Sequence, residues 1–185
     1  MGKLILVTGG VRSGKSTFAE EKAKSFGDDV IYVATATPFD EEMKERVKKH
    51  RLQRPASWET IEAHRDIDSL LEGKIKGKSA VLLDCITVMI NNIMFDICPD
   101  FNNIGKAEET VILKSVKSSI EKLIEFANVC EIPFVFVTNE IGMGLVPEYR
   151  ASRIFRDLAG SMNQLIAKAC EEVYLCVCGI PVKIK

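Results

Sequence analysis

The eight residues Gly9-Gly10-Val11-Arg12-Ser13-Gly14-Lys15-Ser16 constrain this chain more than any others. They fit the pattern G-x-x-x-x-G-K-[ST], which carries weight only where a strand runs into it and a helix runs out. Both flanks are present. Leu4-Ile-Leu-Val7 is an apolar strand-like run, and Ser16-Thr-Phe-Ala-Glu-Glu-Lys-Ala-Lys24 has the character of a helix. Strand, glycine-rich turn and helix in that order make an anion cradle, because backbone N–H groups of the turn and of the helix N-terminus point at one place. A side chain at Gly9 or Gly14 would block the tight turn or the approach of backbone to a phosphate. In such a cradle Lys15 reaches the β- and γ-phosphates of a nucleotide, and the Ser16 hydroxyl sits on Mg²⁺.

The rest of the chain alternates in the same way. Apolar runs over 30–34, 80–84, 133–138 and 172–177 read as strands, and 179–185 as a hairpin-like final strand. They are nearly all apolar rather than alternating, which suits a parallel sheet buried on both faces. Helical patterns fill the gaps at 40–51, 107–130 and 152–172, and 99–105 reads as the longest loop. The expectation is an α/β fold: a single P-loop nucleotide-binding domain over 1–185, its mostly parallel twisted sheet carrying helices on both faces.

Bulk properties narrow the partners. A net charge of -1 offers no global basic field for nucleic acid, and 7% aromatic content is thin for base stacking. A RecA-like module that spends nucleotide to work on nucleic acid is therefore disfavoured. No run approaches a membrane span, and the apolar N-terminal stretch is too short for a signal peptide, so the expected location is the cytoplasm. Six cysteines, Cys85, Cys98, Cys130, Cys170, Cys176 and Cys178, form no C-x-x-C pair and mostly sit in apolar surroundings. They read as small buried hydrophobes in a reduced protein.

Three further places bear on chemistry. Asp84 ends the 80–84 strand, where a carboxylate beside Ser16 helps hold Mg²⁺, and ligands of such sheets bind at strand carboxyl ends. Asn139 and Glu140 follow the 133–138 strand and reach the same rim, where Glu140 could orient a nucleophile, touch Mg²⁺ or position a second substrate. His50 lies among Arg46, Lys48, Lys49, Arg51 and Arg54. Those cations favour neutral imidazole and attract polyphosphate, and a neutral imidazole can attack phosphorus. A solvated basic helix is the other reading of the same residues. Trp58, beside Pro55, reads as locally packed, and His64 as surface.

Together, Val7-Thr-Gly-Gly-Val-Arg-Ser-Gly-Lys-Ser16, Tyr32-Val-Ala-Thr35, Arg46-Val-x-x-His50-Arg-x-x-Arg54-Pro55-x-x-Trp58-x-Thr60-x-Glu62, Leu83-Asp-Cys-Ile-Thr87, Val137-Thr-Asn-Glu-Ile-Gly-Met-Gly-Leu-Val-Pro147 and Arg156-Asp-Leu-Ala-Gly160 resemble the bifunctional adenosylcobinamide kinase / adenosylcobinamide-phosphate guanylyltransferase family of cobalamin biosynthesis. The resemblance spans essentially the whole chain. It implies two reactions: phosphorylation of adenosylcobinamide by a nucleoside triphosphate (ATP or GTP), then transfer of GMP from GTP to adenosylcobinamide phosphate. It implies a GMP–histidine intermediate on His50, with Arg51, Leu52, Gln53 and Arg54 flanking it. It also places Gly9 to Ser16 on the phosphates, Ala34, Thr35 and Ala36 along the nucleotide site, and Glu62 and Asp84 in the GTP site. A RecA-like architecture and a homo-trimer belong to the same implication. Two narrower readings stand beside it: a simple P-loop kinase for a small metabolite, and a guanylyltransferase without the kinase activity.

Overall fold

The computed structural model describes residues 2–36, 55, 57–100 and 104–185. Seven strands form one sheet: β1 (Leu4–Gly9), β2 (Val30–Ala34), β3 (Glu59–Glu62), β4 (Ala80–Asp84), β5 (Phe134–Val137), β6 (Glu172–Val177) and β7 (Ile180–Lys183). Their order is β3-β2-β4-β5-β1-β6-β7, parallel throughout except for β7, which returns antiparallel to β6. The described helices are α1 (Lys15–Lys24), α2 (Ile67–Leu71), α3 (Ile86–Ile97), α4 (Lys106–Val129) and α5 (Arg150–Ala169).

The unbroken apolar runs have a simple cause. Alternate side chains of a strand face opposite ways, and both faces are covered. Leu4, Leu6, Ile31, Val33, Val81, Leu83, Phe134 and Phe136 face the layer built by α2 to α5. Ile5, Val7, Val30, Tyr32, Ala80, Leu82, Val135 and Val137 face the other way, onto α1. Among the described residues, α1 presents Ala19 and Ala23 to this layer, and Tyr32 and Trp58 supply its buried bulk, with Phe18 and Tyr174 packed against it. The indole is 7% exposed, so Trp58 is a core residue of the sheet, a larger role than local packing.

Three elements were not anticipated, the first being α2, whose five residues are too few to show a helical period. β3 adds a fourth-from-β1 edge strand with an alternating pattern, half-buried at Glu59 and Ile61 and exposed at Thr60 and Glu62. It is short and polar, so periodicity gives it little signal. α3 is the third, an apolar run whose polar residues decide where it lies. Thr87 Oγ1 accepts from both the backbone N–H (2.9 Å) and Nδ2 (2.8 Å) of Asn139 after β5. Asn92 Nδ2 donates to the Thr35 carbonyl after β2 (2.7 Å). Asp96 meets His64 after β3 (2.9 Å). Nine residues of helix rise about 13 Å, and β5 to β3 spans three strand spacings, about 14 Å. α3 therefore crosses the carboxyl rim of the sheet and closes the large core from above. The expected helix at 40–51 lies outside the described residues, as do 101–103 of the expected loop.

His64 is correspondingly tied down, not free surface: with Arg65 Nε (2.6 Å) it holds Asp96 Oδ2. Burial pushes that carboxyl up, but the Arg65 and His64 hydrogen bonds outweigh it and keep it below its ordinary value. Cys85, Cys130, Cys170 and Cys176 are buried. Burial raises the Cys85 thiol to about 11 and the Cys170 thiol to about 12, so both act as neutral, apolar fillers.

Candidate active site

β1 brings Gly9, buried, to the carboxyl rim, and the chain turns through Gly10, Val11 and Arg12, all exposed, into buried Ser13. Gly14 then takes φ +86 at the N-cap of α1, a conformation that an L side chain resists. The turn is also braced from outside. Val177 pairs with Ile180 across a two-residue turn with positive φ at Cys178 and Gly179, which is the hairpin geometry that matches strand twist. Its tip lies on the phosphate loop: Gly179 N–H donates to the Ser13 carbonyl at 2.9 Å. A Cβ on Gly14 would stand 2.8 Å from Gly179 Cα, and one on Gly9 would stand 2.6 Å from the Cys176 carbonyl oxygen. Lys15 Nζ curls back to the Gly10 carbonyl at 3.1 Å, which keeps its ammonium over the mouth of the loop.

Asp84 reaches the same region from β4. Val7 and Asp84 both pair with Val137 of β5, so they stand level, two strand spacings or about 10 Å apart. Asp84 Oδ2 accepts from Tyr32 OH at 3.1 Å, which fixes the carboxylate at the strand end. Ser16 lies in the first turn of α1. A hydroxyl and a carboxylate are hard oxygen donors, and Mg²⁺ beside a polyphosphate uses one or two protein oxygens, its remaining positions going to phosphate and water. Ser16 and Asp84 fit that requirement.

Glu140 stands between these two. β5 lies between β1 and β4, and the Glu140 N–H donates to the Gly9 carbonyl at 3.1 Å. Glu140 Oε1 accepts from Gly142 N–H at 3.0 Å. Asn139, fixed by Thr87, is in turn capped by Asn163 Nδ2 on its carbonyl at 3.1 Å.

The remaining expected residues stretch along the rim. Ala34 ends β2 and Thr35 and Ala36 follow it, three strands or about 14 Å from β1. Thr35 is 1% exposed, and its hydroxyl is engaged with the backbone of Cys85, donating to the carbonyl at 2.7 Å and accepting from N–H at 2.8 Å. It ties β2 to β4 from beneath. Glu62 ends β3, four strands or about 19 Å from β1. The structure thus gathers Gly9 to Ser16, Asp84 and Glu140, and leaves Glu62 too far to join phosphates held over the loop. His50, Arg51, Leu52, Gln53 and Arg54 lie outside the described residues. Tyr32, Thr87 and Arg153, which position the rim, were missed. Their signal was faint: single polar side chains in apolar or amphipathic runs.

A family model described as cobinamide kinase / cobinamide phosphate guanyltransferase matches residues 5–184. The chain belongs to that family. It is 43% identical over 184 residues to the bifunctional adenosylcobalamin biosynthesis protein CobU of Escherichia coli (strain K12), covering 98% of this chain and 99% of that protein. The CobU of Salmonella typhimurium (strain LT2) matches at the same identity and coverage. The bifunctional adenosylcobalamin biosynthesis protein CobP of Pseudomonas aeruginosa is 34% identical over 180 residues, 97% of this chain and 96% of that one. Among solved structures, an ATPase from the type III secretion system of pathogenic bacteria superposes with a TM-score of 0.62 at 14% identity. That match covers 95% of this chain and 52% of the ATPase, and it shows the fold alone: the RecA-like P-loop arrangement. No helix among the described residues is long and apolar enough to cross a membrane.

Proposed function

We propose that this chain carries out both reactions named for its family within one catalytic domain of 1–185. In the first, the hydroxyl oxygen of adenosylcobinamide attacks the γ-phosphorus of a nucleoside triphosphate, and the diphosphate leaves as the hydroxyl proton passes to a base. In the second, the His50 imidazole attacks the α-phosphorus of GTP and pyrophosphate leaves. The phosphate of adenosylcobinamide phosphate then displaces His50 from the GMP, giving adenosylcobinamide-GDP. The observation that carries this reading is the family match over residues 5–184 laid on a complete phosphate loop.

The chain's own groups suit the chemistry. Backbone N–H groups at the start of α1 and the Lys15 ammonium stabilise charge gathering on the leaving phosphates. Mg²⁺, held through Ser16 and Asp84, supplies further positive charge on the phosphate oxygens when bound. Tyr32 keeps Asp84 oriented toward that position. A neutral imidazole at His50, among Arg51 and Arg54, is a competent nucleophile toward phosphorus, and the guanidinium groups offset charge in the transition state. Ala36 and Glu62, far along the rim from the loop, suit the base and ribose end of a nucleotide rather than its phosphates. The enzyme is read as a cytoplasmic homo-trimer.

The test is incubation with Mg²⁺ and GTP labelled at the α-phosphate, comparing wild type with His50→Ala by gel and intact mass. An acid-labile GMP adduct on wild type, absent from the variant, is expected. Nucleotide binding with no adduct on wild type would refute transfer through His50 and leave a kinase.

A further inference from the structure

We propose that the loop 141–149, together with Val11, is the seat of the corrinoid acceptor; the proposal rests on the functional reading above. Among the described residues, six large apolar side chains are exposed by two-thirds or more. They are Val11 (77%), Val129 (75%), Met143 (80%), Leu145 (95%), Val146 (68%) and Tyr149 (70%). Single exposed apolar residues are ordinary on any surface. Here five of the six fall on two loops at one end of one sheet, and those loops adjoin. The chain entering 141–149 is bonded to the phosphate loop through Glu140 N–H on the Gly9 carbonyl (3.1 Å). Exposed apolar side chains gathered at one end of a sheet point to a binding site.

The loop is also held in place, as a platform requires. At its start Asn139 is pinned by Thr87. At its end Arg153 of α5 donates to the carbonyls of Pro147 (3.0 Å) and Glu148. A second hydrogen bond, from Gly142 N–H to Glu140 Oε1, folds the chain back on the glutamate. The apolar side chains are thus presented by a segment tied down at both ends.

The reaction supplies the occupant. An attacking oxygen must come within about 3–3.5 Å of the phosphorus, and the γ-phosphate lies over Gly9 to Ser16. The body of the acceptor must then rest on whatever borders that loop. A corrinoid is a broad disc with a methyl-rimmed face and amide arms. Such a body needs an open apolar platform with backbone polar groups near its edge, not an enclosed slot. Val11 on one side and Met143, Leu145, Val146 and Tyr149 on the other provide one, and Glu140 stands at its foot, beside the loop that holds the phosphates. Leu145 and Met143 set the affinity for the acceptor while leaving the nucleotide untouched.

The test uses the full chain and two variants, Met143→Ala/Leu145→Ala and, as a control at the far end of α4, Val129→Ala. Three quantities are read: cobinamide retained in equilibrium dialysis, the dissociation constant of a fluorescent GTP analogue, and the sedimentation coefficient. The double variant should bind cobinamide about tenfold or more weakly, as expected for losing several buried methylene contacts. Its nucleotide affinity and sedimentation should match wild type, as should every reading for the control. Cobinamide binding by the double variant within twofold of wild type, or a changed subunit assembly, overturns the seat and makes the loop a subunit contact or bare surface. Wild type that binds the GTP analogue but retains no cobinamide overturns the functional reading, and the seat with it.

Discussion

Replacing Gly14 by alanine should destabilise the whole domain through two separable costs. The first is conformational. Gly14 sits at φ +86, where a Cβ crowds the following carbonyl, a penalty of about 1–2 kcal/mol. The second is steric. The new Cβ would lie 2.8 Å from Gly179 Cα, which is backbone and cannot rotate away. Forcing a methyl into a closed contact costs about 1–3 kcal/mol. Together they remove roughly 2–5 kcal/mol from a domain whose total stability is of order 5–15 kcal/mol. With a slope of about 1–3 kcal/mol per molar, the urea midpoint should fall by ~1–2 M. The least costly relief is retreat of the β6–β7 turn. That breaks the Gly179 N–H bond to Ser13, so the Gly179 amide should lose its hydrogen-exchange protection. Gly160 supplies the contrast. It lies inside α5, and a Cβ there meets nothing within 4 Å. Gly160→Ala should therefore stabilise by about 0.5–1 kcal/mol, the ordinary helix preference for alanine. A Gly14→Ala unfolding free energy within ~0.5 kcal/mol of wild type, or equal losses from both substitutions, would show that the hairpin does not brace the loop.

Two further perturbations test other links. Glu172, with a nearly buried side chain, accepts from Lys3 (2.6 Å), Tyr174 (2.9 Å) and Lys183 (3.2 Å) and pairs with Lys22 (3.1 Å), which joins α1 to both ends of the β6–β7 hairpin. The Lys3 bond leads, burial opposes, and the remaining partners carry the carboxyl well below its usual range. Because the folded value is depressed, the contribution is complete above the unfolded carboxyl pKa and fades as pH falls toward the folded one. Glu172→Gln should cost about 2 kcal/mol at pH 7, and urea midpoints of variant and wild type should converge below about pH 4. A gap that stays constant to pH 3 would mean the charge is not what stabilises. Thr87→Val removes, at constant shape, an acceptor shared by the Asn139 N–H and Nδ2, leaving Nδ2 only its longer contact to Cys85 Sγ (3.8 Å), so it should cost about 1–3 kcal/mol and loosen the rim loop. An unchanged melting temperature, with unchanged proteolysis at 141–149, would assign the loop's order to other contacts.

The P-loop, the strands β1, β2, β4, β5 and β6 and the α/β class were legible because each signal is local. Glycines at a tight turn, an apolar run buried on both faces and a 3.6-residue stripe in α4 and α5 all act within a dozen residues. Strand β3 was not legible. Its four residues, Glu-Thr-Ile-Glu, become a strand only because β2 offers an edge. Nor was the course of α3. Its apolar residues say that it is buried, and only Thr87, Asn92 and Asp96, meeting three different strand ends, turn it across the rim.

The same division holds for the site. Glycine spacing, Lys15 and Ser16 by themselves shape an anion cradle, since backbone N–H groups and one ammonium within eight residues suffice to form one. Strand order determined the rest. Asp84 stands two strands from Gly9, Glu140 fits between them, and Glu62 is carried about 19 Å away, because pairing partners are chosen across the sheet and not along the chain. The exposure of the apolar residues after β5 is likewise a tertiary fact. Nothing in the side-chain type of Met143 or Leu145 marks it for solvent, and only the folded chain shows that both lie outside the core.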